Sequence, residues 1–218
     1  MIPEGVARFR EEYRPQIPGW YSGVGHFLFT TLCTLGAIVF CAVHVRSPRP
    51  LEWLTLPFAF LFANFAEYRA HRGPMHNRTR LLDIVYRRHA ASHHLFYTHE
   101  AMAAETSRDF HMVLFPPSML LFFIGLQMVP IGLLLGFAVS PNVAYLFCAT
   151  ALSYFLTYEW LHTAYHLPDD SLIRRLPFIA TLRRLHQTHH DQRLMHDWNF
   201  NITFPIFDAV YRTRHKGD

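Results

Sequence analysis

Between Met112 and Tyr158 the chain carries no Asp, Glu, Lys, Arg or His, a run of 47 residues. One bilayer crossing takes about 20 apolar residues, so the run holds two spans. Val139-Ser140-Pro141-Asn142 supplies turn chemistry near its middle, and a helical hairpin of residues 112–138 and 143–165 is expected. Pro116, Pro117 and Pro130 should kink its first arm. Upstream, residues 27–45 and 51–70 continue the apolar pattern across a short turn at Arg46-Ser47-Pro48-Arg49-Pro50. The expected fold is a single-domain, all-α integral membrane protein with four transmembrane helices in two hairpins. A helical cap of residues 71–111 and 166–218 completes it.

Arginine sets the expected orientation. Arg8, Arg10 and Arg14, six arginines from Arg72 to Arg108, and seven more with Lys216 in the tail fall on one side of such a topology. By the positive-inside rule that side is cytoplasmic, which makes the chain multi-pass with its cap in the cytoplasm. Arg46 and Arg49 dissent. The net charge of +4 then reflects juxtamembrane arginine and contact with membrane lipids, and no nucleic-acid signature accompanies it. Cys33, Cys41 and Cys148 lie in expected spans and read as small hydrophobes rather than a disulfide. Asn77 and Asn201 open glycosylation sequons that a cytoplasmic placement would leave unmodified. The first twenty residues lack a signal peptide's apolar core and read as an interfacial segment ending near Trp20.

The 16 histidines are grouped. His71 and His76 form H-x4-H, His89, His93 and His94 form H-x3-HH, His162 and His166 form H-x3-H, and His186, His189 and His190 form H-x2-HH. Positions three and four apart share a helix face, so His162 with His166, His186 with His189 or His190, and His89 with His93 are each expected to meet one metal. Gly73-Pro74 should break the first box and let His76 fold back. Ten donors exceed what one ion accepts, and two metals share them more naturally. Imidazole suits zinc, copper, iron and nickel alike. Two divalent ions need negative charge nearby, and Glu67 and Glu159, each on the face of its own histidines, are the candidates. His99 and His196 are expected behind the ligands. His26, His44 and His215 stand alone and read as structural.

Four boxes in this order, separated by an apolar hairpin, resemble the fatty acid hydroxylase and sterol desaturase superfamily. The tail adds Trp198-Asn199-Phe200-Asn201, Thr203-Phe204-Pro205-Ile206-Phe207-Asp208 and Tyr211-Arg212-Thr213, similar to that family's C-terminal signature. The resemblance covers residues 67–213. It implies a pair of iron ions held by the ten box histidines, O2 as oxidant, a lipid substrate entering from the bilayer, and Asn199 among the supporting residues. Two departures stand out. The second box is H-x3-HH where H-x2-HH is commoner, and Asn201 stands where Gly is frequent. Residues 1–26 are too few for a haem domain, so a separate electron donor, a ferredoxin or cytochrome b5 with its reductase, is expected near Arg174, Arg175, Arg183 and Arg184.

Unactivated C–H bonds need a one-electron oxidant, so iron is the functional metal even where zinc occupies purified protein. The expected activity is hydroxylation of a fatty-acyl or related chain, in a cleft with Phe60, Phe96, Phe115 and Trp160 as candidate lining. A carotenoid hydroxylase or a lipid desaturase of the same superfamily is the alternative. A metal transporter or sensor would place ionisable residues along its path, and the run from Met112 to Tyr158 offers none. A zinc hydrolase of the H-E-x-x-H type is excluded, because His99-Glu100 lacks the second histidine.

Overall fold

The computed structural model describes residues 2–215, so Lys216 lies outside the described residues. The helices in chain order are α1 (Glu4–Tyr13), α2 (Gly23–His44), α3 (Thr55–Ala70), α4 (Asp83–Arg88), α5 (His94–Phe96), α6 (Phe110–Val113), α7 (Pro117–Leu121), α8 (Val129–Ala138), α9 (Pro141–Tyr165), α10 (Pro177–His189) and α11 (Ile206–Val210). The described residues contain no strand, only an isolated bridge between Thr98 and Ala101. They form two compact units: residues 2–24, 64–114 and 160–215 make the first, Gly25–Ala63 and Phe115–Glu159 the second.

The second unit is the apolar one. Two helical stretches, Gly23–His44 and Pro117–Ala138, are long and apolar enough to cross a membrane. Only 22% and 6% of their most apolar windows are buried, so they are not the core helices of a soluble protein. The other two expected spans appear as α3, 16 residues long, and α9, 25 residues long. The unit's core gathers Cys41, Ala59, Phe147 and Cys148. At one end, the Glu52 carboxylate accepts from Ser140 Oγ at 2.5 Å, Asn142 Nδ2 at 3.1 Å and Arg49 N at 2.7 Å. Arg49 also pairs with Glu52, which gives one of the two dissenting arginines a local partner.

The prolines act differently from expectation. Pro116 is extended and Pro117 opens α7, so the pair starts a helix instead of kinking one, where a missing N–H costs nothing. Residues Phe122–Met128 form a π-helical stretch directly before Pro130. Widening the turn accommodates a proline whose ring would clash with the carbonyl four residues back.

In the first unit, Phe96, Tyr97, Ala104, Met112 and Val113 form a core, with Phe9, Tyr13 and Phe110 packed against it. Phe96 is therefore core and not cleft lining. The N-terminal helix is also more than an interfacial segment. Arg10, 1% exposed, donates to Phe96 O at 2.9 Å and Ala101 O at 2.7 Å and pairs with Glu105. Arg14 pairs with the fully buried Asp109. A buried charge is tolerable only with such partners. Close approach fixes Gly23: a Cβ there would lie 1.6 Å from Ser107 O.

Candidate metal centre

All ten box histidines belong to the first unit and are buried. They divide into two groups of five whose ring nitrogens lie within 4.8 Å of one another: His71, His76, His89, His94 and His189, and His93, His162, His166, His186 and His190. The groups adjoin, with the His94 and His190 rings stacked at 4.3 Å.

Local backbone explains the division. His162 and His166 end α9, and His186 and His190 end α10, so regular spacing of four brings each pair into the second group. His89 and His93 share that spacing but separate, because His89–His93 is a π-turn. A wider turn aligns residues five apart, and His89 meets His94 at 3.1 Å between Nε2 atoms. The unusual second box thus absorbs its extra residue in the backbone. The first box uses the same device. His71–Met75 is π-helical, Gly73 departs from helical angles (ψ −109°), and His76 returns to His71's group as expected.

Every ring directs Nε2 inward. In the first group His71 approaches His89 at 2.8 Å, His76 approaches His89 at 3.2 Å, and His189 approaches His76 at 2.9 Å. In the second, His93 lies 3.2 Å from both His190 and His162, and His186 lies 3.2 Å from His166 and 3.0 Å from His190. Main-chain carbonyls hold the outer nitrogen of five rings. Nδ1 donates to Phe200 O from His71 (2.5 Å), Met112 O from His93 (3.0 Å), Met102 O from His166 (2.8 Å), Trp198 O from His189 (2.8 Å) and Tyr97 O from His190 (2.6 Å).

That assignment tests whether a metal fits. A neutral imidazole carries one proton. In His93 and His190 it is committed to a carbonyl through Nδ1, so two bare lone pairs face each other at 3.2 Å. They repel unless a cation lies between them. Burial, ahead of repulsion from neighbouring imidazoles, also keeps protons out. It lowers His71 to about 4 and moves His89, His94, His189 and His190 well below the usual range. Neutral rings with inward lone pairs are metal ligands in waiting, and the residues fit.

The two expected carboxylates have the following partners. Glu67 accepts from Ile202 N at 2.5 Å, Thr203 N at 3.1 Å, Thr203 Oγ at 2.7 Å and Asn201 Nδ2 at 3.2 Å. It fixes the loop whose Phe200 carbonyl orients His71. Glu159 belongs to the second unit, where it accepts from Phe115 N at 3.4 Å. His99 touches through its backbone, donating N–H to His190 O at 3.2 Å. His196 is exposed, its ring edge-on to His76 at 5.5 Å. Asn199 takes the left-handed conformation (φ 56°), which Asn tolerates, and ties Leu185 O and His215 N into the loop. Asn201 turns its own side chain to Asn64 O and to the amides of Phe207 and Asp208.

Sequence reasoning missed three supports: fully buried Asp208, which accepts from Phe200 N and Asn201 N; Asn64, which donates to Phe204 O; and Tyr97, whose carbonyl orients His190. Asn64 was detectable as a polar residue in the apolar stretch before Glu67.

A family model, fatty acid hydroxylase, matches residues 56–213, well over half of the chain. Neither the comparison with curated proteins nor that with solved structures gives a match.

Proposed function

Because the chain belongs to the fatty acid hydroxylase family, an oxidoreductase family of membranes, we propose that it is an O2-dependent di-iron oxygenase that hydroxylates a lipid chain. The observation that carries this is the pair of five-histidine groups with inward Nε2 atoms. The five imidazoles of each group would hold one iron ion between them. Bound there, iron would supply the one-electron oxidation of an unactivated C–H bond that side chains cannot perform.

The chain's own part is positioning. Carbonyls of Met102, Met112, Tyr97, Trp198 and Phe200 fix the tautomers and ring planes of five imidazoles, which would hold them ready for a metal ion. Burial of all ten rings excludes water from the centre. In this reading α2, α3, the α7–α8 stretch and α9 cross the bilayer as two hairpins, with the histidines on the cytoplasmic side. A separate ferredoxin or cytochrome b5 supplies electrons.

Lipid extracts from cells expressing the wild type and His189→Ala, with a reductase system present, test the reading by mass spectrometry. A wild-type-dependent species one oxygen heavier is expected. Loss of two hydrogens instead would make the chain a desaturase, and identical extracts with a competent donor would overturn the oxygenase reading.

A further inference from the structure

Beyond the histidines, the first unit holds a second concentration of charge. Asp169, Arg174, Arg175, Ala180, Arg183 and Arg184 line a cavity of about 210 Å³. Four guanidiniums share it with one carboxylate. Asp169 pairs with Arg174, and among the described residues no carboxylate pairs with Arg175, Arg183 or Arg184. Arg174 is 13% exposed in its side chain, yet its Nε is buried with no partner. Arg183 donates from Nε to Tyr165 O at 3.1 Å and from Nη1 to Gln187 Oε1 at 3.2 Å. Burial, then the charge of Arg174, lowers its proton affinity. Such crowding of like charge calls for an anion.

The flanks say where that anion comes from. Leu172 is 76% exposed, Ile173 50%, Leu176 54% and Phe178 54%. Large apolar side chains interleaved with arginines are built for a membrane surface, where the apolar groups enter the acyl region and the guanidiniums meet phosphate. Phosphate also suits the donor set, since several planar forks converge and one group must offer several oxygens. A fatty-acid carboxylate would satisfy a single fork. The cavity has room for a phosphate with water, each water taking roughly 30 Å³. It also adjoins the metal centre: Arg183 lies one turn before His186 on α10 and holds the carbonyl of Tyr165, which precedes His166.

We propose that this arginine pocket binds the phosphate of a phospholipid, so that the chain oxidised is one still attached to a phosphate-bearing headgroup. The substrate part of this rests on the oxygenase reading above.

The test uses the full-length, metal-loaded protein in phospholipid-free detergent, offered phosphatidylglycerol, diacylglycerol and free fatty acid with the same acyl chains. Retention is read by native mass spectrometry and oxidation by product mass. Wild-type protein should retain and oxidise phosphatidylglycerol in preference to the other two. The double variant Arg175→Gln/Arg184→Gln removes side chains that hold no backbone carbonyl, and should weaken phosphatidylglycerol retention about tenfold, or about 1.4 kcal/mol. Its metal content should be unchanged. Arg174→Gln should act in the same direction. Equal retention of diacylglycerol, or variants that hold phosphatidylglycerol as the wild type does, would overturn the pocket. Selective retention without oxidation of any lipid would overturn the oxygenase reading and leave the pocket standing. Variants that slow only reduction by an acidic electron carrier, with lipid retention intact, would reassign the arginines to that carrier and overturn the proposal.

Discussion

The two histidine groups present similar donors on different scaffolds. The second, His93, His162, His166, His186 and His190, takes four of its five rings from the ends of two long regular helices. The first, His71, His76, His89, His94 and His189, takes four of its five from two π-turns and the residues that follow them. Its outer supports come from the C-terminal loop, through Trp198 O and Phe200 O. A site on regular helices is fixed by the helices. One on irregular backbone depends on whatever pins that backbone, here Glu67, Asn201 and Asp208.

Ligand removal should give the largest effects and show whether the groups load independently. His166→Ala and His189→Ala should each lower turnover by more than about a hundredfold, above the range for outer partners. Metal analysis should show each losing mainly the ion of its own group. Loss of both ions from either variant would mean that the groups form one inseparable centre. Deleting Ala91 would leave His89 four residues before His94, a spacing that shares one face of a regular helix. Iron content close to wild type is expected, and loss of the first group's ion would show that the π-turn itself is required.

Glu67→Ala sharpens the comparison because its carboxylate pins the C-terminal loop through Ile202 N and Thr203 N. Leaving Ile202 N and Thr203 N unpaired should weaken metal binding at the first group by about tenfold to a hundredfold and spare the second, as competition with a chelator would show. Acid should act through the unfolded chain. An imidazole there titrates near 6.5, whereas burial lowers His71 to about 4 and most of its neighbours well below the usual range. Below about pH 6.5 the unfolded chain binds protons that the fold refuses, so stability is intact above that pH and falls as the pH drops. Metal-free protein should show this in denaturant titrations between pH 7 and 5, and a flat profile would contradict the neutral assignment. At the other extreme, His215→Ala removes a ring that packs on Trp198 and reaches neither group, and should leave metal content unchanged.

The four boxes were legible because ligand spacing is written along the chain, and the apolar run from Met112 to Tyr158 marked membrane-length helices without any contact being known. The expectation that His89 and His93 share a metal failed for one reason. Spacing implies a face only after the turn type is chosen, and the π-turn was selected by the surrounding fold. Main-chain acceptors were invisible for a related reason: a carbonyl has no residue identity, so the roles of Met102, Met112 and Tyr97 appear only once the backbone is folded. The sequence by itself determined an all-helical chain with ten clustered imidazoles, since hydrophobic length and ligand type are local properties. The tertiary structure decided which five rings face which ion and which nitrogen each presents, because both depend on contacts between residues far apart along the chain.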